Sequence, residues 1–230
     1  MTATYTKDSC LEDLRRRILS TELSPGADLD EATLSGQYGI SRTPLREVLQ
    51  RLGGAGYVSL TANRGAKVAS MDITTMRVFF QTAPMIYANI SRLAAENRRP
   101  AQLDALRVAQ AQFASASDTE ATALANHSFH RIIGEMAENP YLMACLERLL
   151  IDHTRLSQTF YRPTSEAEAE LIAQASAQHD ALIEAIAGSD AAQAVDLTLA
   201  HWDLSRDRME RFVRPDPLPV DVMTERSHAV

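Results

Sequence analysis

Apolar residues in the stretch LEDLRRRILS recur as Leu11, Leu14, Ile18 and Leu19, with charges between them, which predicts an amphipathic helix. Ser24-Pro25-Gly26 reads as a turn. Asp30 can cap a second helix through Leu34 to Tyr38, and Gly39 ends it. Ser41 then caps a third, with Pro44 in its first turn, where a missing N–H does little harm. Leu45, Val48, Leu49 and Leu52 form its apolar side. Gly53-Gly54 predicts that this helix ends early or frays, since glycine costs ~1 kcal/mol against alanine inside a helix. The period then changes from helical to alternating. YVSL (57–60) and AKVA (66–69), joined by TANRG (61–65), predict a two-stranded hairpin.

Beyond residue 70 every periodic stretch is helical. Asp72 can cap the first, which carries Met76, Phe79, Ala83, Ile86, Ile90 and Leu93. Pro84 falls inside it and removes a hydrogen bond, at ~3 kcal/mol or more, so a kink or break is predicted near 80–84. Pro100 opens a second helix, and Ser117 with Glu120 makes a capping box for a third, ending at Asn139-Pro140. A fourth carries Leu142, Cys145, Leu146, Leu149 and Leu156. Ser165 with Glu168 opens a fifth that stops at Gly188, and Ser189 caps a sixth to about Phe212. The tail after it has three prolines and little periodicity, which predicts disorder.

The predicted fold is mainly α. A winged helix-turn-helix occupies 1–70, an all-α antiparallel bundle 71–213, and a disordered tail 214–230. At 45% hydrophobic residues the chain can bury a proper core, and no apolar run approaches the ~20 residues of a membrane span. No signal-peptide pattern opens it, and Cys10 and Cys145 lack metal or disulfide spacing, so a cytoplasmic location with free thiols is expected.

Charge sharpens this division. The chain is acidic, at −7, yet residues 1–70 hold 9 basic and 8 acidic side chains, against 14 and 22 in residues 71–230. The local field, not the net charge, governs phosphate binding. Arg42 and Arg46 lie four apart, on one face at the start of the third helix. Arginine there can bond guanine O6 and N7 together in a major groove, worth ~1–3 kcal/mol of discrimination. Thr43 adds a hydroxyl and a methyl, and Ser41 with the helix N-terminus offers N–H groups to a phosphate. At the hairpin tip, Arg64 could enter a minor groove, with Gly65 permitting close backbone approach.

The run GISRTPLREVLQRL with the preceding PG and the following NRGA resembles the DNA-binding domain of the GntR family of bacterial transcription regulators. The resemblance covers residues 11–69. It implies that Ser41, Arg42, Thr43 and Arg46 occupy recognition-helix positions, with Arg64 and Gly65 at the wing tip.

The helical part aims three histidines at apolar faces: His130, one turn after Asn126; His179, on the stripe Ala175, Leu182, Ile183; and His201, on the stripe Ala194, Thr198, Leu204. A single such histidine is ordinarily a hydrogen-bonded core residue, but three converging imidazoles suit a divalent transition metal. His127 and His153 fall off these stripes. The spacing resembles the FadR branch of the same family, whose FCD effector domain often holds a metal on one Asp and three His. The resemblance implies a site of Asn126, His130, His179 and His201, with Asn126 standing where relatives carry aspartate. Zinc is the first candidate, with nickel or manganese as alternatives. Relatives also carry R-x-x-L-E in the first bundle helix. Here Gln81 stands at the arginine, and Arg77 lies one turn earlier, so this pair is the candidate effector contact.

These features imply a homodimeric, non-enzymatic regulator. It would bind a palindromic operator in double-stranded DNA and answer to a small-molecule effector, an organic acid being one candidate. Two alternatives remain: a metal-dependent hydrolase built on the histidines, and a regulator whose bundle is structural and metal-free.

Overall fold

The computed structural model describes residues 5–61 and 65–211. The predicted tail and the wing-tip residue Arg64 therefore lie outside the described residues. The head comprises helices α1 (Lys7–Leu19), α2 (Glu31–Tyr38) and α3 (Arg42–Gly54), with strands β1 (Asp28–Leu29), β2 (Val58–Thr61) and β3 (Gly65–Val68). Asp30 caps α2 by accepting from the Thr33 N–H at 2.8 Å. Gly39 ends α2 in the left-handed region, at φ 65°, and so turns the chain into α3. The strands form an antiparallel sheet in the order β1-β3-β2. β1 is too short to show a period in the sequence. Its pairing with β3, Asp28 to Lys67 and Leu29 to Ala66, defines it.

α3 runs through both glycines rather than ending before them. A Cβ on Gly53 would lie 3.0 Å from two side-chain carbons of Leu60 on β2, so the absent side chain lets the hairpin pack onto the helix end. The head core contains Leu14, Ile18, Leu45, Val48, Leu52 and Val68, all nearly or fully buried.

The body is a bundle of α4 (Ile73–Asn97), α5 (Pro100–Ser115), α6 (Thr119–Met136), α7 (Pro140–Phe160), α8 (Glu166–Ala187) and α9 (Ala191–Arg211). α4 is one helix with Pro84 inside it, so the predicted break is absent. Met76, Phe79 and Ala83 bury the turns before the proline, and Ile86, Tyr87 and Ile90 those after it. Tertiary burial on both sides outweighs one lost hydrogen bond. Two predicted caps shift. Asp118, not Ser117, caps α6 by accepting from the Ala121 N–H at 2.8 Å. Ser189 has φ 59°, because it closes the C-terminus of α8, and Asp190 accepts from the Gln193 N–H instead.

α7 is buried without a gap from Leu150 to Gln158. An amphipathic surface helix would expose one side. Here the head covers that side. Ile151 joins the head core. Arg155 Nη1 donates to the Ala69 carbonyl at 2.7 Å, and Gln158 Nε2 to the Leu19 carbonyl at 3.2 Å. Arg155 also pairs with buried Asp152, which Arg148 holds from its other side at 3.0 Å. Leu150 and Leu156 belong to the bundle core.

Candidate functional site

Two regions carry chemistry. In the head, Ser41, Arg42, Thr43 and Arg46 are all exposed at the start of α3. Ser41 is the N-cap by backbone geometry, but its hydroxyl makes no capping bond. The first N–H groups of α3 are thus not closed off by their own cap. Arg46 Nε donates to both carboxylate oxygens of Glu31, at 2.9 and 3.1 Å. This bond orients the guanidinium from α2. Arg42, Arg46 and Gly65 line one groove of about 910 Å³ between α3 and the sheet. Gly65 has φ 79°, a conformation that glycine adopts without strain.

In the bundle, α6 supplies Asn126 and His130, α8 supplies His179, and α9 supplies His201. One ring nitrogen from each histidine lies within 4.8 Å of the other two. His130 and His179 are buried and His201 nearly so. Gln110 on α5 fixes the state of His179. Its amide nitrogen donates to the Ser176 carbonyl and hydroxyl, both at 3.0 Å. A carbonyl only accepts, so the Gln110 oxygen must face His179 Nδ1, 2.9 Å away. His179 therefore carries its proton on Nδ1 and a lone pair on Nε2. His201 Nδ1 lies 3.1 Å from the Gln178 side-chain oxygen.

The Nε2 atoms of His179 and His201 lie 3.2 Å apart, so the His179 lone pair points at the His201 ring. Asn126 Oδ1 and His130 Nε2 are also buried with no hydrogen-bond partner. An unmet buried polar atom costs ~1–3 kcal/mol. Three imidazoles thus converge in one buried region, with Asn126 one helical turn from His130. Burial keeps the rings uncharged: it pushes His201 down to about 4 and holds His130 and His179 well below the usual imidazole range, with repulsion from neighbouring rings adding to it at His130 and His179. Uncharged imidazole is the metal-binding form. One amide oxygen and three imidazole nitrogens match the donor chemistry of zinc and its neighbours, and the cluster could hold such an ion.

The family model for the FCD domain matches residues 84–204, and the model for bacterial regulatory proteins of the gntR family matches residues 6–68. The chain belongs to the GntR family. The Nta operon transcriptional regulator of Aminobacter aminovorans is 30% identical over 89 residues, which span 39% of this chain and 42% of that protein. The chain therefore spans less than half of that curated relative. The regulator RmpR of Mycobacterium gastri is 28% identical over 212 residues, 84% of this chain and 76% of that protein. The solved structure of McbR/YncC from E. coli has the same fold, with a TM-score of 0.76 at 21% identity, covering 93% of this chain and 100% of that one.

Within this GntR-family fold, the histidines expected together are together. Arg77 and Gln81 are exposed on α4. The α4 residue beside the cluster is Tyr87, whose ring centre lies 5.3 Å from that of His130. Sequence reasoning missed Gln110, Gln178, Tyr87 and His153. The Tyr87 hydroxyl and His153 Nδ1 share a 2.7 Å hydrogen bond, and the His153 and His130 ring centres are 5.6 Å apart. No periodic signal could have found His153, because α7 is buried all round at that point. His127 lies under the head instead, with Nδ1 2.8 Å from Thr154 Oγ1. The chain's one tryptophan, Trp202, follows His201, and its ring centre is 5.9 Å from that of His153.

Proposed function

We propose that the chain is a DNA-binding transcription regulator, acting as a homodimer on an inverted-repeat operator. Its bundle holds a divalent transition metal on Asn126, His130, His179 and His201, next to which a small-molecule effector binds. Zinc is the expected ion. The observation that carries the metal reading is the convergence of three buried histidines, together with His130 Nε2 and Asn126 Oδ1 on the adjoining turns of α6, both buried and without a hydrogen-bond partner among the described residues. A bound cation would satisfy the orphaned atoms together.

DNA recognition rests on the exposed N-terminus of α3, with Arg42, Thr43 and Arg46 for base edges and Ser41 for a phosphate. Arg64, next to Gly65, is assigned to the wing contact on its position in the sequence. Twofold pairing would set the separation of two heads, and the operator would mirror that symmetry. An effector must favour one arrangement of the heads over another to act at all.

A non-enzymatic role is supported by family membership and by the residues nearest the cluster. Among the described residues, the group brought together there contains histidines and no carboxylate. Glu135 and Glu138 are exposed and paired with Arg131 and Arg99. No helix among the described residues is long and apolar enough to cross a membrane, and a cytoplasmic location accords with gene regulation.

The test titrates zinc and cobalt into metal-stripped protein while following Trp202 fluorescence. One saturable equivalent per chain is expected, lost in His179→Ala. No binding, or an unchanged stoichiometry in the variant, would leave a metal-free bundle. A gel shift on upstream intergenic DNA tests the head, and folded protein that retains no inverted repeat at low salt would end the regulator reading. Turnover that tracks zinc content would instead support a hydrolase.

A further inference from the structure

We propose that a second small-molecule site, separate from the histidine cluster, lies between the head and the C-terminal end of α7, and that it takes a carboxylate carried on an apolar body. A cleft of about 680 Å³ occupies this position. Sites for small ligands commonly enclose ~300–1,000 Å³. The head contributes Thr21, Ser24 and Pro25 to its wall, and the bundle contributes the ends of α7 and α9 and the start of α8. Met71 and Leu156 supply apolar surface.

Its charge is opposite to that of the bundle around it. Among the described residues, Arg155, Arg162 and Arg208 line the cleft with a single carboxylate, Glu168. Arg208 pairs with Glu168 at 2.9 Å, and Arg155 pairs with Asp152. Arg162 is exposed and, among the described residues, has neither an ion pair nor a side-chain hydrogen bond. A planar guanidinium with open donors is matched by a carboxylate in a two-bond fork. The cleft wall also holds an unmet donor. The Arg155 side chain is fully buried, and its Nε has no hydrogen-bond partner. At the rim, Thr21 adopts φ 61°, the left-handed turn that ends α1.

The location gives an occupant leverage on the head. Two cleft residues, Arg155 and Gln158, are the ones that hold the head through the Ala69 and Leu19 carbonyls. A ligand touching Thr21 and Ser24 on one wall and Arg162 on the other would bridge head and bundle directly. Its effect on head position would not pass through the histidines.

Isothermal titration of the full chain with benzoate and hexanoate at low ionic strength tests the proposal, with inorganic phosphate as a further arm. Saturable binding of at least one carboxylate is expected, weakened about tenfold or more in Arg162→Gln and unchanged in His179→Ala. Arg162 is exposed, so its variant should fold, and its melting temperature checks this. Hydrogen exchange at residues 19–25 should slow when the carboxylate is bound. Failure of wild-type protein to bind either carboxylate overturns the site. So does equal binding by Arg162→Gln. Binding of phosphate alone would overturn the apolar-bodied ligand class. Loss in His179→Ala with retention in Arg162→Gln would move the carboxylate to the histidine cluster and so also refute a separate site.

Discussion

Replacing Arg155 with methionine should destabilise the stretch of α7 that the head covers and weaken the head's hold on it. The Arg155 side chain is fully buried and the Asp152 side chain is 5% exposed. Removing one partner of a buried ion pair costs ~3–5 kcal/mol, because the other charge is left in a dry interior. Arg148, itself partly exposed, remains 3.0 Å from Asp152 and offsets part of that cost. The Ala69 carbonyl also loses its donor, for about 1 kcal/mol. The loss should therefore be ~3–4 kcal/mol, a large share of a typical domain's ~5–15 kcal/mol. Urea unfolding gives the magnitude, and hydrogen exchange in α1 and β3 shows where protection is lost. The paired variant Asp152→Asn/Arg155→Met removes both charges and should recover about half of the loss or more. A single variant within ~1 kcal/mol of wild type, or a double variant no better than the single, would refute the claim that this buried pair in α7 stabilises the fold beneath the head.

Four further outcomes are expected. Arg42→Ala should weaken operator binding by ~1–3 kcal/mol and relax base preference, whereas an equal loss on random DNA in a gel shift would make Arg42 a phosphate contact only. Asn126→Asp should raise zinc affinity, by about tenfold for each ~1.4 kcal/mol gained from a charged oxygen, and competition with a chelator reads the change. Gly134→Ala should destabilise by ~1–3 kcal/mol in thermal melts, since a Cβ there would run into Leu146 Cδ2 and lie 2.8 Å from Met143 Sδ on the crossing helix. Metal-stripped protein should lose stability on mild acidification: burial pushes His127 and His201 down to about 4 and His153 to about 3, against 6.5 when unfolded. The unfolded chain then binds more protons below pH 6.5, so stability is flat above pH 7 and falls towards pH 4, by up to ~1.4 kcal/mol per pH unit for each histidine. A urea midpoint unchanged between pH 7 and pH 5 would contradict this.

Much of the molecule was legible because its signals are local. The capping aspartates, the left-handed Gly39 and the change from helical to alternating period mark α2, α3 and the hairpin without reference to anything distant. The i, i+4 step of Asn126 and His130 and the stripes of His179 and His201 likewise follow from helix geometry alone. Where local signals competed with packing, packing prevailed. Pro84 did not break α4, because both flanking turns bury large side chains. Gly53 and Gly54 did not end α3, and Gly53 gives room to Leu60, a residue from another element.

By itself, the sequence determined the order of elements, the basic tip of the third helix and the apolar faces that carry the three histidines, since each depends on residues within one or two turns. Tertiary structure alone decided what those faces meet. It brought Gln110 from α5 and Gln178 from α8 onto the histidine rings, and through Gln110 it set the tautomer of His179. It placed Arg46 against Glu31 and left Arg77 and Gln81 exposed. It wrapped α7 on all sides, between the head and the histidines, which erased the one-sided pattern that would have revealed His153 and Arg155. Contacts between residues far apart in the chain leave no period in the sequence, because each partner satisfies only its own helix's rule.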